Sequence, residues 1–153
     1  MTERQLPTRR ALYPRITSIS TRWGDNDAYG HVNNVVYHAF FDTAVNQHLI
    51  ESGALDIARS AVIGLVVENQ CRYFTSIGFP DRIDVGMRVT HLGHSSVRYE
   101  IALFRNDADL ASAVGKFVHV YVDRATDRPV SIPAAMRAVL EPLMQAESVG
   151  QGR

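Results

Sequence analysis

From residue 83 the chain alternates. Ile83, Val85, Met87 and Val89 are apolar, whereas Asp84, Gly86, Arg88 and Thr90 between them are polar or small. A period of two marks a half-buried strand, because successive side chains leave opposite faces of the backbone. Val97, Tyr99, Ile101 and Leu103 repeat the pattern after a turn at 93–95. Residues 62–75 form a long β-branched and aromatic run, and 111–122 are apolar on both faces in their second half, which places that strand inside a sheet. Residues 13–23, rich in Ile, Thr and Ser, read as one more strand. Between the first two strands the period changes. Tyr37, Phe40, Phe41, Ala44, Val45, His48 and Leu49 recur at three- and four-residue spacing and form one broad face of a helix. Asn33 or Asn34 can cap its start, and Gly53 can take the left-handed position past its end. Residues 106–109 read as a hairpin loop and 123–128 as a turn. Pro133 then opens a short amphipathic helix reaching about Met144. A single long helix with an apolar face needs a sheet to cover it. The pattern predicts an α+β fold: one antiparallel sheet of about five strands curved around a long helix, with a short C-terminal helix.

At 153 residues the chain is expected to form a single domain over 13–147, flanked by a loosely held arm at 1–12 and a frayed tail at 148–153. Sixteen Lys and Arg balance sixteen Asp and Glu, which argues against nucleic acid or an anionic membrane as partner but leaves a small anionic ligand open. One cysteine, Cys71, excludes an intramolecular disulfide; it lies in an apolar strand and reads as buried and inert. The polar, basic N-terminus carries no apolar signal-peptide core, and no apolar run approaches the roughly 18–20 residues of a membrane span. A cytoplasmic protein is the expectation. His91 and His94 straddle a strand end and a turn with no carboxylate or cysteine set at ligand spacing, so no metal site is expected.

Residues 22–37, RWGDNDAYGHVNNVVY, carry the candidate chemistry. A carboxylate in a loop before a helix start can act on a carbonyl carbon or on a water. The unpaired N–H groups of the first helical turn can meanwhile polarise the carbonyl oxygen. Asp27 can serve as nucleophile or general base, or can cap its own turn. Asp25 reads as a turn residue. Asn34 matters for its backbone N–H, and Gly30 for a sharp bend or positive φ. His31 has no Ser or Cys nucleophile in a partner motif and reads as ordering the loop or the substrate carbonyl. Tyr29 and Tyr37 can line an acyl pocket or simply pack. There is no dinucleotide-binding, P-loop or G-x-S-x-G motif.

From Trp23 through Asn34, then Tyr37, and on through HLGHSSVRYEIAL, FVHVYVD and RPVSIPAAMRAVL, the chain resembles the hotdog-fold acyl-CoA thioesterases of the 4-hydroxybenzoyl-CoA thioesterase-like group. The resemblance covers about residues 15–142. It implies a hotdog fold, hydrolysis of an acyl-CoA thioester to acid and CoA, Asp27 as the catalytic carboxylate, and a backbone oxyanion donor near Asn34. It further implies dimers with sheets side by side, often paired again into a homotetramer, and an active site between protomers. Coenzyme A is then part of the substrate and no cofactor is needed. Ser95 and Ser96, at a strand start, can reach the pantetheine or nucleotide or simply serve the turn. Arg72 can hold a phosphate from its strand or, as the stronger reading, be a solvated surface charge. The segment Phe74-Thr75-Ser76-Ile77-Gly78-Phe79-Pro80 departs from relatives, which often carry a basic residue there. The same fold also supports a non-catalytic acyl-CoA-binding module, a sensor or partner subunit. A hydratase would need a His/Asp pair that is not seen.

Overall fold

The computed structural model describes residues 4–144. Strand β1 (Arg15–Ser20) leads through a short 3-10 turn (Trp23–Asp25) to helix α1 (Asn34–Glu51). Strands β2 (Val62–Tyr73), β3 (Arg82–Leu92), β4 (Ser96–Arg105) and β5 (Ala113–Asp123) follow, then helix α2 (Ala134–Leu140), continued by a 3-10 turn (Glu141–Met144). The five strands form one antiparallel sheet in the order β1-β3-β4-β5-β2. This is the expected hotdog arrangement, with the both-face apolar strand β5 inside the sheet. The last six residues, 148–153, lie outside the described part.

The predicted helix face buries as expected: Tyr37, Phe40, Phe41, Ala44, Val45 and Leu49 pack on Ile83, Val85, Met87, Val97, Tyr99, Ile101 and Phe117 of the sheet. His48 is half-buried at the edge of that face, and burial lowers its pKa. Asn33 is the N-cap, its side chain accepting the Val35 N–H at 3.1 Å, and Gly53 takes φ +80° beyond the C-cap Ser52.

Strand β1 is shorter than the sequence pattern suggests. Tyr13 turns instead onto the outer face of the sheet with Ala102, Phe104, Ala111 and Val114, while Trp23 is largely exposed. Both residues satisfy a strand-like composition, but only neighbours in space decide whether the backbone pairs. The segment before β1 is tied to the same outer face: the Tyr13 hydroxyl donates to Glu100 at 2.9 Å, and Arg10 donates to Asp84 at 2.6 Å.

Asp84 carries a pH signature. Burial alone would raise its pKa, but Arg82, the Ser18 hydroxyl and Arg10 bring it down from 3.8 to about 2. The folded value is below the unfolded one, so the stabilisation is complete above the unfolded pKa and is lost as pH falls through the folded one. An acid series of thermal melts should show this loss between about pH 4 and pH 2. Asp84→Asn should lower stability at neutral pH and flatten that acid limb.

Candidate active site

The loop between β1 and α1 is held from both sides. Asp25 is almost fully buried. Its carboxylate accepts the Arg22 N–H at 2.8 Å and the Arg22 guanidinium at 2.9 Å, and its backbone oxygen accepts the Asn33 N–H at 2.8 Å. It is therefore the scaffold that joins the 3-10 turn to the helix start. From the other side, the Val32 N–H donates to the Ile77 carbonyl at 2.8 Å, and the Phe79 N–H to the Asn26 side chain at 3.0 Å. The unusual segment after β2 thus forms a wall of this loop.

Asp27 sits at the head of a tight turn. Its N–H donates to the His31 carbonyl at 2.7 Å, and its Oδ1 accepts the N–H groups of Tyr29 at 2.8 Å and His31 at 3.3 Å. Gly30 closes this turn at φ +79°, a left-handed conformation that a Cβ disfavours. Two donors fix one carboxylate oxygen, while Oδ2 has no hydrogen bond among the described residues. At the helix start the Asn33 side chain takes the Val35 N–H and the Asn33 carbonyl takes that of Val36. The Asn34 N–H, at the first helical position, has no intrahelical acceptor.

Asp27, His31, Asn34 and Tyr37 meet at one open cavity of about 380 Å³, completed by Val32 and by Tyr73–Ser76. The sequence-predicted carboxylate, helix start, histidine and one tyrosine are thereby brought together. Tyr37 is buried and its ring meets Tyr73 edge-on at 4.9 Å; burial is the main reason its pKa is raised. Tyr29 is 84% exposed and does not line this cavity, and Gly30 lines the neighbouring cleft beside Phe79 and Pro80. Arg72 is exposed on β2 and lies outside this cavity. Ser95 and Ser96 are remote from it in the same chain. Ser96 pairs with Val120, whereas Tyr73 pairs with Ala113, seven positions along the same strand. That separation is about 23 Å.

Val32, Tyr73, Phe74, Thr75 and Ser76 are the lining residues that the sequence pattern did not single out. The signal for Phe74–Ser76 was the departure from pattern at 74–80, which reads as a missing cation when only the sequence is in view. Here, the Phe74 N–H (2.8 Å) and the Thr75 N–H (3.1 Å) both donate to the Ser112 carbonyl, fixing the wall against β5. Cys71 is half-buried and its pKa is raised by burial, which makes it a poor thiolate. Among the described residues no group of three His, Cys, Asp or Glu could hold a metal ion, and no helix is long and apolar enough to cross a membrane.

Residues 21–140 match the family model of the thioesterase-like superfamily. Among solved structures, the PA5185 protein of Pseudomonas aeruginosa strain PAO1 is 55% identical. The match covers 90% of this chain and 96% of that one, with a TM-score of 0.88. The PA2801 protein of Pseudomonas aeruginosa, a candidate thioesterase, is 28% identical over 83% of this chain and 96% of its own, with a TM-score of 0.75. The DHNA-CoA thioesterase of Staphylococcus aureus is 20% identical over 90% and 94% of the two chains, with a TM-score of 0.73, and shares the fold. No curated protein matches the chain.

Proposed function

Because the chain belongs to the thioesterase-like superfamily, we propose that it hydrolyses the thioester of a small-molecule acyl-CoA to the free acid and CoA. The observation that carries this reading is the pairing of an Asp27 carboxylate that has one fixed and one free oxygen with the unpaired Asn34 N–H, both on one cavity. The thioester carbonyl oxygen sits against the Asn34 N–H, where a backbone donor to a developing oxyanion contributes roughly 3 kcal/mol. The free oxygen of Asp27 acts in one of two ways. Either it takes a proton from a water that attacks the carbonyl carbon, that proton passing to the departing CoA thiolate. Or it attacks the carbonyl carbon itself and expels the CoA thiolate, which takes its proton from solvent. The second route leaves a mixed anhydride that water then opens to the free acid and Asp27. His31 orders the loop and flanks the carbonyl; Tyr37 and Tyr73 wall the acyl group. The chemistry requires no cofactor.

A homodimer completes the site in this reading. β2 is an edge strand of twelve residues on which Leu65, Val66 and Val67 are exposed. A long apolar edge is a template for pairing. Antiparallel pairing of two β2 edges about their midpoint sets the Ile63–Gly64 end of one copy against the Tyr73 end of the other. It also carries that copy's Ser95 and Ser96 toward the Asp27 cavity and leaves Arg72 and Tyr29 at the rim, where CoA would pass. Mass measurement in solution should give a dimer or a dimer of dimers, and Val67→Lys should shift it toward monomer with loss of turnover. A wild-type monomer that is fully active would sink the shared site.

The activity is tested by following thiol release from short, medium, long and aromatic acyl-CoAs. Turnover of at least one of them is expected. Tight binding of CoA esters without turnover would turn the reading toward a non-catalytic acyl-CoA-binding module.

A further inference from the structure

A second cavity, of about 300 Å³, opens at the other end of α1, between the helix and the start of β2. Leu49, Leu55, Ile63 and Met136 give it aliphatic walls, and His119 and Tyr121 of β5 line it beside them. The polar pair is anomalous. His119 is 3% exposed and Tyr121 1%, yet neither ring nitrogen of His119 nor the Tyr121 hydroxyl has a hydrogen-bond partner among the described residues. Buried polar groups are nearly always satisfied, and an unsatisfied one costs stability. The nearby Tyr99 does not resolve the deficit. Its ring meets His119 edge-on at 5.2 Å, and its hydroxyl lies beside that of Tyr121 with neither in good hydrogen-bond geometry. Burial lowers the His119 pKa against the pull of Asp42 and raises that of Tyr121 to about 12. Both rings are therefore neutral at pH 7. Together they offer two donors and at least one acceptor. Asn46 and Arg124 also border the cavity, the Arg124 guanidinium donating to the Ile57 and Ala58 carbonyls. At position 64 there is a glycine where a Cβ would come within 3.2 Å of His119 Nδ1 and 3.3 Å of the Tyr121 ring, so any larger residue would crowd the space in front of both.

We propose that this cavity takes the far end of the acyl chain and selects chains that carry a hydroxyl or carbonyl oxygen there, received by His119 and Tyr121. The inference rests on the thioester-hydrolysis reading. Within one chain the cavity is out of reach of Asp27: Asn34 and Leu49 are fifteen residues apart on α1, about 22 Å along the axis. The β2 edge pairing described above sets the Ile63–Gly64 end of one copy beside the other copy's Tyr73, so each Asp27 is served by the second cavity of the opposite copy. Aliphatic walls with two neutral polar groups suit a flexible oxygenated chain better than a plain hydrocarbon, which would leave His119 and Tyr121 unsatisfied in the complex.

The test compares ω-hydroxyacyl-CoAs of four to eight carbons with their unsubstituted counterparts. Wild type should favour the hydroxylated member of at least one pair by tenfold or more in kcat/KM, and Tyr121→Phe and His119→Phe should each pull that ratio toward one. Thermal melts confirm that both variants fold. Tyr121→Phe removes one buried hydroxyl that makes no well-formed hydrogen bond among the described residues, so it keeps the test valid if the histidine variant fails. Hydrolysis of both series with equal efficiency would overturn the inference and leave the activity standing. If no ester is hydrolysed, the activity reading falls. Nitrogen-15 resonances of His119 titrated with 1,6-hexanediol and with 1-hexanol then decide. A shift with the diol alone supports the polar-ended site, and no shift with either overturns it.

Discussion

Asp27→Asn should lower kcat by about 10²–10⁴ while leaving the fold and the melting temperature close to wild type. The two halves of this expectation come from different oxygens of one side chain. Oδ1 accepts the Tyr29 and His31 N–H groups and holds the turn. An asparagine carbonyl can accept the same two bonds, so the turn and the helix start behind it keep their places. The free oxygen becomes an amide nitrogen, which neither removes a proton from water nor attacks a thioester. KM should change little, because the acyl walls and the Asn34 N–H are untouched. An asparagine variant with wild-type kcat on the best ester would remove Asp27 from the chemistry. First-turnover labelling in heavy-oxygen water identifies an anhydride that opens at the aspartyl carbon. A general base places the label in the released acid, whereas an anhydride opened at the aspartyl carbon leaves it in Asp27.

The largest expected effect on stability is at Phe41, on the opposite side of α1 from solvent. Its ring is fully buried, edge-on to Phe117 at 5.8 Å, and lies flush over Gly115 of β5. A Cβ at Gly115 would fall 2.4 Å from Phe41 Cε2, so helix and sheet approach each other here more closely than any side chain on the strand would permit. Phe41→Ala removes the ring and leaves a void that the rigid sheet cannot close. The cost should be about 3–5 kcal/mol in denaturant unfolding. Gly115→Ala is the converse error, overpacking, and should cost about 1–3 kcal/mol. If Phe41→Ala unfolds at the wild-type denaturant midpoint, the helix is not seated on the sheet through this contact.

Much of this arrangement is legible in the order of residues. The helix face from Tyr37 to Leu49 and the alternation in β3 and β4 follow from periodicity, which local sequence records directly. The capping Asn33 and the left-handed Gly30 and Gly53 are similarly local, because a single residue type answers a single backbone demand. What the chain does not display is that β2 lies at an edge. β2 is as β-branched as β5, and only the pairing order leaves Leu65–Val67 exposed. The tuck of Tyr13 onto the outer face escapes for the same reason: the Glu100 that receives its hydroxyl is 87 residues away in sequence. The wall at Tyr73–Ser76 was visible only as an irregularity. His119 is the least legible of all, an ordinary core histidine in sequence whose lack of partners appears only when three elements close around it.

The length of α1 has a further consequence, for how such a protein can change over generations. Its first residue borders the group proposed to break the bond, and Leu49, near its last turn, borders the cavity proposed to sort the chains. Within one chain the two cavities share no lining residue, so a substitution in the wall of one leaves the wall of the other in place. A lineage could therefore drift at Leu55, Ile63 or Met136 and acquire a new preference without retuning Asp27. Two identical subunits would turn each such change into a change at both sites at once. The rigid helix works as a spacer that lets selectivity be rewritten while the chemistry stays still.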